Sequence, residues 1–324
     1  MKEFNAIEHY FRQGLVARDD VILGVGDDAA LLQVPANMEL AVSVDTLVEG
    51  VHFPINTNPY DIAYKALAVN LSDMAAMGAT PAWFTLALSC PEISEPWLQQ
   101  FTQGLADLAI QHQVSLIGGD TTRSKSVMTI SIQIMGFIPK NKALRRDKAQ
   151  VGDTIFVTGD LGNAGLGLAS SFAEIDLPEQ DAQFVEQCLN RPTPRVEIGQ
   201  ALSKLGVQCA IDISDGLLAD LGHILTASQV GATLHLAQIP LSNTLKTQLK
   251  IEQAWQFALS SGDDYELCFT VRPEKIELLA QYLSANHFYP IGYIKAEQDL
   301  SCLHPNGDIW QPKRAGYEHF SEAD

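Results

Sequence analysis

The sequence lacks the features of secreted, membrane-spanning and nucleic-acid-binding proteins. Its five cysteines are an odd number, widely spaced and without a C-x-x-C pair, which excludes a disulfide framework and a zinc knuckle. No run of 18 or more apolar residues occurs, so a membrane span is excluded on length. The residues Met1–Glu8 carry acids where a signal peptide needs basic and apolar residues. We therefore expect a cytoplasmic protein with reduced thiols.

Positive charge is also scarce in this sequence. Its 21 Lys and Arg residues against 39 Asp and Glu residues give a formal net charge of −18 at pH 7. Nucleic acids and anionic membranes are bound by cationic surfaces, so neither is expected as a partner. An acidic protein instead favours a site that depends on cations.

Common nucleotide and hydrolase motifs are missing as well. The sequence contains no G-x-x-x-x-G-K-[ST], strict G-x-G-x-x-G, G-x-S-x-G, H-E-x-x-H or EF-hand pattern. Nucleotide chemistry would therefore need another scaffold. The glycine-rich segment 159–167 fits either a phosphate-binding turn or, as the favoured interpretation, a tight turn with close helix packing.

Helical and strand periods alternate along the chain and predict an α/β or α+β fold with two domains. The basic segment Pro139–Lys148 interrupts the pattern, and we place the domain boundary near residue 150, giving domains 1–150 and 151–324. Helices are predicted around Phe4–Phe11 and over 61–77, 95–112, 163–173, 194–205 and 215–228. Strands are predicted over 41–44, 83–90, 114–117, 127–138, 154–158, 208–212 and 231–236.

The positions of the acids are the most informative feature. Pairs and single aspartates follow predicted strands or lie in glycine turns, where side chains point into clefts; they are Asp27, Asp28, Asp45, Asp120, Asp212, Asp215, Asp263 and Asp264. Aspartate also favours turns and helix N-caps for purely structural reasons, and this alternative applies to each motif taken alone.

Asp73 is different because its predicted helix is apolar on nearly every face after Lys65. A carboxylate buried there would destabilise the fold by roughly several kcal/mol unless it is paired with a cation or bound to a metal ion. Metal ligation and a buried salt bridge both stay open. Oxygen-bearing neighbours such as Ser43 and Ser214 suit a hard ion such as Mg²⁺, which in turn implies phosphates.

Six segments together resemble the ordered motifs of the thiamine-monophosphate kinase family. The resemblance runs from about residue 4 to about residue 320, and the segments are 24–30, 44–53, 65–81, 118–122, 212–217 and 262–267. It implies a homodimer whose N-terminal mixed sheets join across a two-fold axis. It also implies a C-terminal α+β domain that covers the site.

The resemblance further implies a role for individual residues. The expected Mg²⁺ ligands are Asp28, Ser43, the backbone at Val44, Asp45, Asp73, Asp120, Asp212 and Asp215. The expected ATP contacts are Gly119, Asp120, Arg146 and Ser214, and the expected substrate contacts are His52, Asp263 and Phe320. Two positions depart from the family pattern: Asp263 stands where Glu is usual, and Val44 where Thr is common.

Structural alternatives stay open for the residues outside the acid motifs. Arg145 and Arg146 fit a solvated linker face as well as a phosphate contact. Tyr317 and Phe320 could either cover the hydrophobic core or stack on a cationic thiazolium ring. A loop histidine such as His52 is, taken alone, more often simply exposed.

The implied reaction is direct in-line transfer of the γ-phosphoryl group of ATP to thiamine monophosphate. The acceptor oxygen is already anionic, so no side chain is expected to act as a general base, and several Mg²⁺ ions would offset the repulsion between anions. Two related activities are disfavoured by the cysteine positions. Selenophosphate synthetase would need a reactive cysteine or selenocysteine near the N-terminus, but the first cysteine here is Cys90. The hydrogenase maturation dehydratase would need a C-terminal cysteine, but the last one here is Cys302. Aminoimidazole ribonucleotide synthetase and a non-catalytic metal- or nucleotide-binding module remain alternatives.

Overall fold

Backbone contacts divide the chain into two units, each with its own sheet. The computed structural model describes residues 16–282 and 288–317. The first unit comprises the residues up to Met74 together with Ala79–Asn141, and the second comprises Ala75–Gly78 together with the residues from Lys142 onward. The division thus falls between Asn141 and Lys142, within the basic segment. The helix predicted around Phe4–Phe11 lies outside the described residues.

The described residues of the first unit form a four-stranded sheet and two long helices. Its strands follow the order β3-β6-β4-β5, in which β4 and β5 are parallel and the other pairs antiparallel. A two-stranded hairpin, β1 and β2, precedes them. The elements are β1 (Val21–Leu23), β2 (Leu31–Leu32), β3 (Met38–Val48), α1 (Pro59–Ala76), β4 (Thr80–Cys90), α2 (Glu95–His112), β5 (Ser115–Arg123) and β6 (Thr129–Pro139).

The helices predicted over 61–77 and 95–112 are confirmed, with boundaries close to expectation. Ser94 caps α2 by accepting the N–H of Trp97, and Gln113 ends the helix in a left-handed conformation. In α1, the side chains of Leu67 and Leu71 are completely buried, as the apolar pattern predicts. Gly78, with a φ of +67°, then reverses the chain into β4.

Two strands are longer than predicted, which places two aspartates inside strands and not at strand ends. Asp45 lies opposite Ile132 within β3, and Asp120 lies opposite Ala87 within β5. Pairing with a neighbouring strand continues past both residues. Because the partner strand supplies these hydrogen bonds, the local sequence around each aspartate does not reveal the true strand end.

The second unit is built on a seven-stranded sheet of order β13-β12-β9-β11-β7-β10-β8. Among the strand pairs that the structure describes here, β9 and β12 are parallel and the others antiparallel. Its strands are β7 (Thr154–Thr158), β8 (Cys209–Asp212), β9 (Gly231–His235), β10 (Leu267–Val271), β11 (Phe288–Lys295), β12 (Leu300–Leu303) and β13 (Ile309–Trp310). Its helices are α3 (Asn163–Ser171), α4 (Glu179–Asn190), α5 (Val196–Lys204), α6 (Leu217–Ser228), α7 (Asn243–Gln248), α8 (Ile251–Ser260) and α9 (Pro273–Tyr282).

The glycine-rich segment before α3 serves close packing. A Cβ atom at Gly162 would lie 2.6 Å from the backbone nitrogen of Ala258, and one at Gly167 would lie 2.3 Å from the carbonyl oxygen of Val185. Both distances are too short for any side chain, so helices α4 and α8 approach the segment at backbone distance. The favoured interpretation of the sequence is confirmed. None of the helices in the described ranges has the length and apolar character needed to cross a membrane.

Candidate functional site

In the first unit, a hydroxyl from the sheet meets a carboxylate from a helix. Ser43 of β3 donates its hydroxyl to the Oδ2 atom of Asp73 of α1 across 2.5 Å. Asp45 lies two residues beyond Ser43 and therefore points to the same side of the strand. Two of the predicted Mg²⁺ ligands, Ser43 and Asp45, thus lie on the side of β3 that faces a third, Asp73.

Val44 points to the opposite side of β3. Val44 is 59% exposed. Leu40 and Val42, on the same side of the strand, are 45% and 51% exposed. Only the backbone of Val44 is therefore available on the Asp73 side. The same alternation leaves a row of apolar side chains on an edge strand.

Asp120 borders a depression on β5. Its lining consists of Val25, Leu86, Leu116, Gly118, Gly119, Asp120 and Thr121. A Cβ atom at Gly119 would lie 2.1 Å from the carbonyl oxygen of Leu86, so only glycine permits the approach of β5 to β4. Val25, three residues before the predicted ligand Asp28, also lines this depression. In the same loop, the N–H of Asp28 donates to the Oδ1 atom of Asp27 across 2.8 Å.

His52 is oriented from two directions. Its Nδ1 atom accepts the N–H of Val48 across 3.0 Å, which assigns the ring proton of the neutral form to Nε2. Its backbone carbonyl accepts a hydrogen bond from Lys65, whose side chain is only 2% exposed. A buried lysine therefore positions the backbone of the predicted substrate contact.

In the second unit, the loop that carries Asp212 and Asp215 is organised by a carboxylate that the sequence analysis missed. The Oδ2 atom of Asp220 accepts the N–H groups of Ser214, Asp215 and Gly216 across 3.0, 3.1 and 3.1 Å. Burial, and then the charges of Asp212 and Asp215, raise the pKa of Asp220 to about 7. Its position in the first turn of α6, directly after the D-x-S-D-G motif, is the signal that could have revealed it.

Two other segments contact this loop. The N–H of Asp263 donates to the carbonyl of Ser214 across 2.8 Å, and the N–H of Tyr317 donates to the carbonyl of Asp215 across 3.0 Å. The structure therefore brings together Asp212, Ser214, Asp215 and Asp263, with Tyr317 beside them. Phe320 lies outside the described residues.

Asp263 has an unusual backbone conformation. Its φ of +61° lies in the left-handed region, which costs energy for a residue other than glycine. The Tyr265 hydroxyl donates to the Asp263 carboxylate across 3.0 Å and limits its orientation. Such a local cost at a predicted substrate contact fits a functional position.

The two acids that follow Asp263 have structural roles. Asp264 accepts the N–H of Gly162, at 3.0 and 2.8 Å from its two oxygens, and so caps the start of α3. Glu266 forms a two-pronged ion pair with Arg195, at 2.6 and 2.5 Å, and also accepts the hydroxyl of Thr158. Burial raises the pKa of both carboxyls, although Arg195 acts in the opposite direction on Glu266.

The structure separates the roles of the two neighbouring arginines. Arg145 forms a two-pronged pair with Asp147, with both distances 2.8 Å. Arg146 is exposed, and its backbone carbonyl accepts the hydroxyl of Ser228 across 2.7 Å. A positioned backbone with an exposed guanidinium suits Arg146 for an anionic ligand better than Arg145.

Two family models match the chain: AIR synthase related protein, N-terminal domain, over residues 26–138, and its C-terminal domain over residues 150–304. The thiamine-monophosphate kinase of Escherichia coli is 46% identical over 324 residues, which cover 98% of each chain. The chain belongs to the thiamine-monophosphate kinase family. This membership confirms the resemblance and the α/β fold of two sheet domains, and it identifies the chain as an enzyme.

Solved structures of this kinase family agree with the fold. The thiamine-monophosphate kinase of Stenotrophomonas maltophilia is 45% identical, with a TM-score of 0.85 over 92% of this chain and 95% of the other. A structure described as AaThiL complexed with AMPPCP and TMP is 29% identical, with a TM-score of 0.77 over 98% of this chain and 97% of the other.

The ligand atoms of this kinase-family chain suit a hard cation, but they do not form a complete coordination shell. Within the described residues, no three His, Cys, Asp or Glu side chains converge as a metal cluster. The oxygens of Ser43 and Asp73 do meet, and three residues before Asp73 in the same helix the buried amide oxygen of Asn70 lacks a hydrogen-bond donor. All these donors are oxygens, which Mg²⁺ prefers, and Mg²⁺ commonly completes its shell with water and substrate phosphates.

Proposed function

We propose that this chain transfers the γ-phosphoryl group of ATP to thiamine monophosphate, producing thiamine diphosphate and ADP. The observation that carries the proposal is the match to almost the full length of AaThiL, a protein described in complex with AMPPCP and TMP. The acid-rich segments of both units support it, because transfer between two anions needs strong charge compensation.

Each substrate is assigned to a set of residues. ATP contacts Gly119, Asp120, Arg146 and Ser214, and thiamine monophosphate contacts His52, Asp263 and Phe320. Gly119 and Arg146 are both exposed, which suits contact with phosphate groups. Because Nδ1 of His52 accepts the N–H of Val48, the ring proton of its neutral form lies on Nε2.

Several Mg²⁺ ions would be held by Asp28, Ser43, the carbonyl of Val44, Asp45, Asp73, Asp120, Asp212 and Asp215. When bound, Mg²⁺ supplies positive charge against the phosphates and aligns them for in-line displacement. The chain's own residues orient the two substrates, and none of them acts as a general base because the acceptor phosphate is already ionised. With a formal charge of −18, the chain itself would repel both substrates.

The assembly and location follow from the same proposal. Residues 1–150 bind metal and ATP and form a homodimer, and residues 151–324 cover the substrate site. The exposed row Leu40, Val42 and Val44 on the edge strand β3 supports self-association, since such a row favours burial. The cytoplasm suits the five cysteines, all of which are free thiols.

Phosphorus NMR of the purified protein with Mg-ATP and thiamine monophosphate tests the reaction, with each component omitted in turn as the control. We expect the doublets of thiamine diphosphate to appear together with ADP. Release of free phosphate would redirect the search to hydrolase or synthetase substrates. Binding of Mg-ATP without turnover would contradict the proposal and favour a binding module.

A further inference from the structure

Asn70 has a buried side-chain oxygen without a hydrogen-bond partner. Its side chain is completely buried in α1, three residues before Asp73. Its Nδ2 atom donates to the carbonyl of Ala66 across 2.9 Å, whereas its Oδ1 atom is buried without a hydrogen-bond partner. A buried amide oxygen without a donor is costly, so its retention requires an explanation.

The amide orientation of Asn70 is determined by its neighbour. The carbonyl of Ala66 only accepts hydrogen bonds, so the NH₂ group must face it and the oxygen must point away. Turning the amide over would place two acceptor oxygens together. Asn70 therefore offers an acceptor in an otherwise apolar stretch of the helix.

The direction of helical side chains relates this acceptor to Asp73. Residues three apart lie on neighbouring positions of one helix face, and a side chain leans toward the turn that precedes it. Asp73 consequently lies over the turn that contains Asn70, and Ser43 approaches Asp73 from β3. Oxygen acceptors and one hydroxyl thus share a small region.

We infer that Asn70 is a positioning residue whose amide oxygen accepts a hydrogen bond from a water molecule bound to the metal ion at Asp73. This inference rests on the proposed function, because it needs the Mg²⁺ site at Asp73. Such a contact would orient the water shell and strengthen metal binding without direct ligation. It also explains why a fully buried polar group is retained in an apolar helix.

Titration of the full-length chain with Mn²⁺, read by electron paramagnetic resonance in the presence of AMPPCP, tests the inference. We expect Asn70→Leu to raise the Mn²⁺ dissociation constant about tenfold or more, the usual effect of losing an outer-shell partner. The melting temperature of its metal-free form should stay equal or rise, since a buried unsatisfied oxygen is removed. A merely structural asparagine would instead lower stability and leave metal affinity unchanged.

Asn190→Leu is the matched control. Asn190 is also a buried amide whose Oδ1 atom lacks a partner, but it belongs to the second unit. Its replacement should leave the Mn²⁺ dissociation constant within about twofold of the wild-type value, below the outer-shell effect. Equal affinities for the two Leu variants and the wild type would overturn the inference and point to an ordinary buried water.

Asn70→Asp covers the case in which Leu prevents folding. A second carboxylate near Asp73 should lower the melting temperature without metal and enlarge the rise that Mn²⁺ produces. An unchanged rise would contradict the inference. A wild-type protein that binds no Mn²⁺ would contradict the metal site itself, whereas wild-type binding with unaltered variants would contradict only the role of Asn70.

Discussion

The two units present their acids in different ways. In the first unit, Asp45, Asp73 and Asp120 lie on regular strands and a helix, so the sheet itself determines their positions. In the second unit, Asp215 and Asp263 lie on loops joined by backbone hydrogen bonds. Loops of this kind need buried partners to keep one conformation.

Because of this difference, we expect substitutions in the two units to affect different properties, activity in the first unit and stability in the second. Replacing an acid on a strand or helix removes a charge but leaves the backbone supported by its regular hydrogen bonds. The loop acids depend on hydrogen bonds made by other residues, such as Asp220 and the Arg195–Glu266 pair. We therefore expect first-unit variants to lose function while folded, and variants of the buried second-unit partners to lose stability.

The largest effect on stability is expected for Arg195→Met. It leaves Glu266 buried without its cation, which should lower the free energy of unfolding by about 3–5 kcal/mol. Urea denaturation measures this change. The control Arg145→Met removes an exposed pair and should cause no measurable change. A loss below about 1 kcal/mol for Arg195→Met would show that the loop does not depend on this pair.

The largest effect on catalysis is expected for Asp73→Asn. The variant should fold normally, because α1 keeps its apolar contacts, but lose about 100-fold or more in kcat through weaker charge compensation. Steady-state turnover at saturating Mg²⁺ and the thermal melting curve are the two measurements. Near-normal turnover would disprove metal ligation by Asp73. Ser43→Ala, which removes only the hydroxyl donor, should produce a smaller loss.

Two substitutions of Asp220 test separately its role as a hydrogen-bond acceptor and the role of its negative charge. Asp220→Ala deletes the acceptor of three N–H groups and should cost about 2–3 kcal/mol of stability. Asp220→Asn keeps one acceptor oxygen and avoids burying a charge, so it should remain close to the wild type. Denaturation curves of both variants decide the matter, and equal losses would show that the negative charge is needed.

The smallest effect concerns the pH dependence of stability. Burial raises the pKa of Asp264 in the folded protein, so the folded state keeps a proton that the unfolded chain releases. Its contribution is complete below the unfolded pKa and is lost as pH rises through the folded pKa. The free energy of unfolding should fall with rising pH by at most about 1.4 kcal/mol per unit for this group.

Asp264→Asn is the variant that isolates this contribution. Its amide oxygen still accepts the N–H of Gly162, but the side chain no longer titrates. Unfolding free energies of both proteins, compared from pH 5 to pH 8, should show a shallower slope for the variant. Parallel slopes would mean that Asp264 titrates at its ordinary pKa in the folded chain.

Much of the fold was predictable from local patterns. The helix over 95–112 and the strand over 154–158 were predicted with the bounds that the structure shows. Periodicity, an N-cap serine and turn-forming glycines act over a few residues, so the sequence displays them directly. Asp73 was identified in the same way, because a carboxylate in an apolar helix is a local anomaly.

Other features needed contacts between distant residues. Helices α4, α7, α8 and α9 and strands β11–β13 were not predicted. The partnership of Thr158, Arg195 and Glu266 joins residues far apart in the chain and leaves no local pattern. Asp220 likewise acts through three hydrogen bonds to the preceding loop, which its place in the first turn of a helix does not by itself reveal.

The sequence by itself determined the alternating elements, the acid-rich turns and the ordered motifs that place the chain in its family. Tertiary structure alone decided which acids of those motifs face outward and which are buried supports. Asp263 and Asp264 are adjacent and chemically identical, yet one is oriented by a tyrosine hydroxyl and the other caps a helix. The reason is physical: a side chain's role depends on the donors and charges around it, and folding brings these from remote segments.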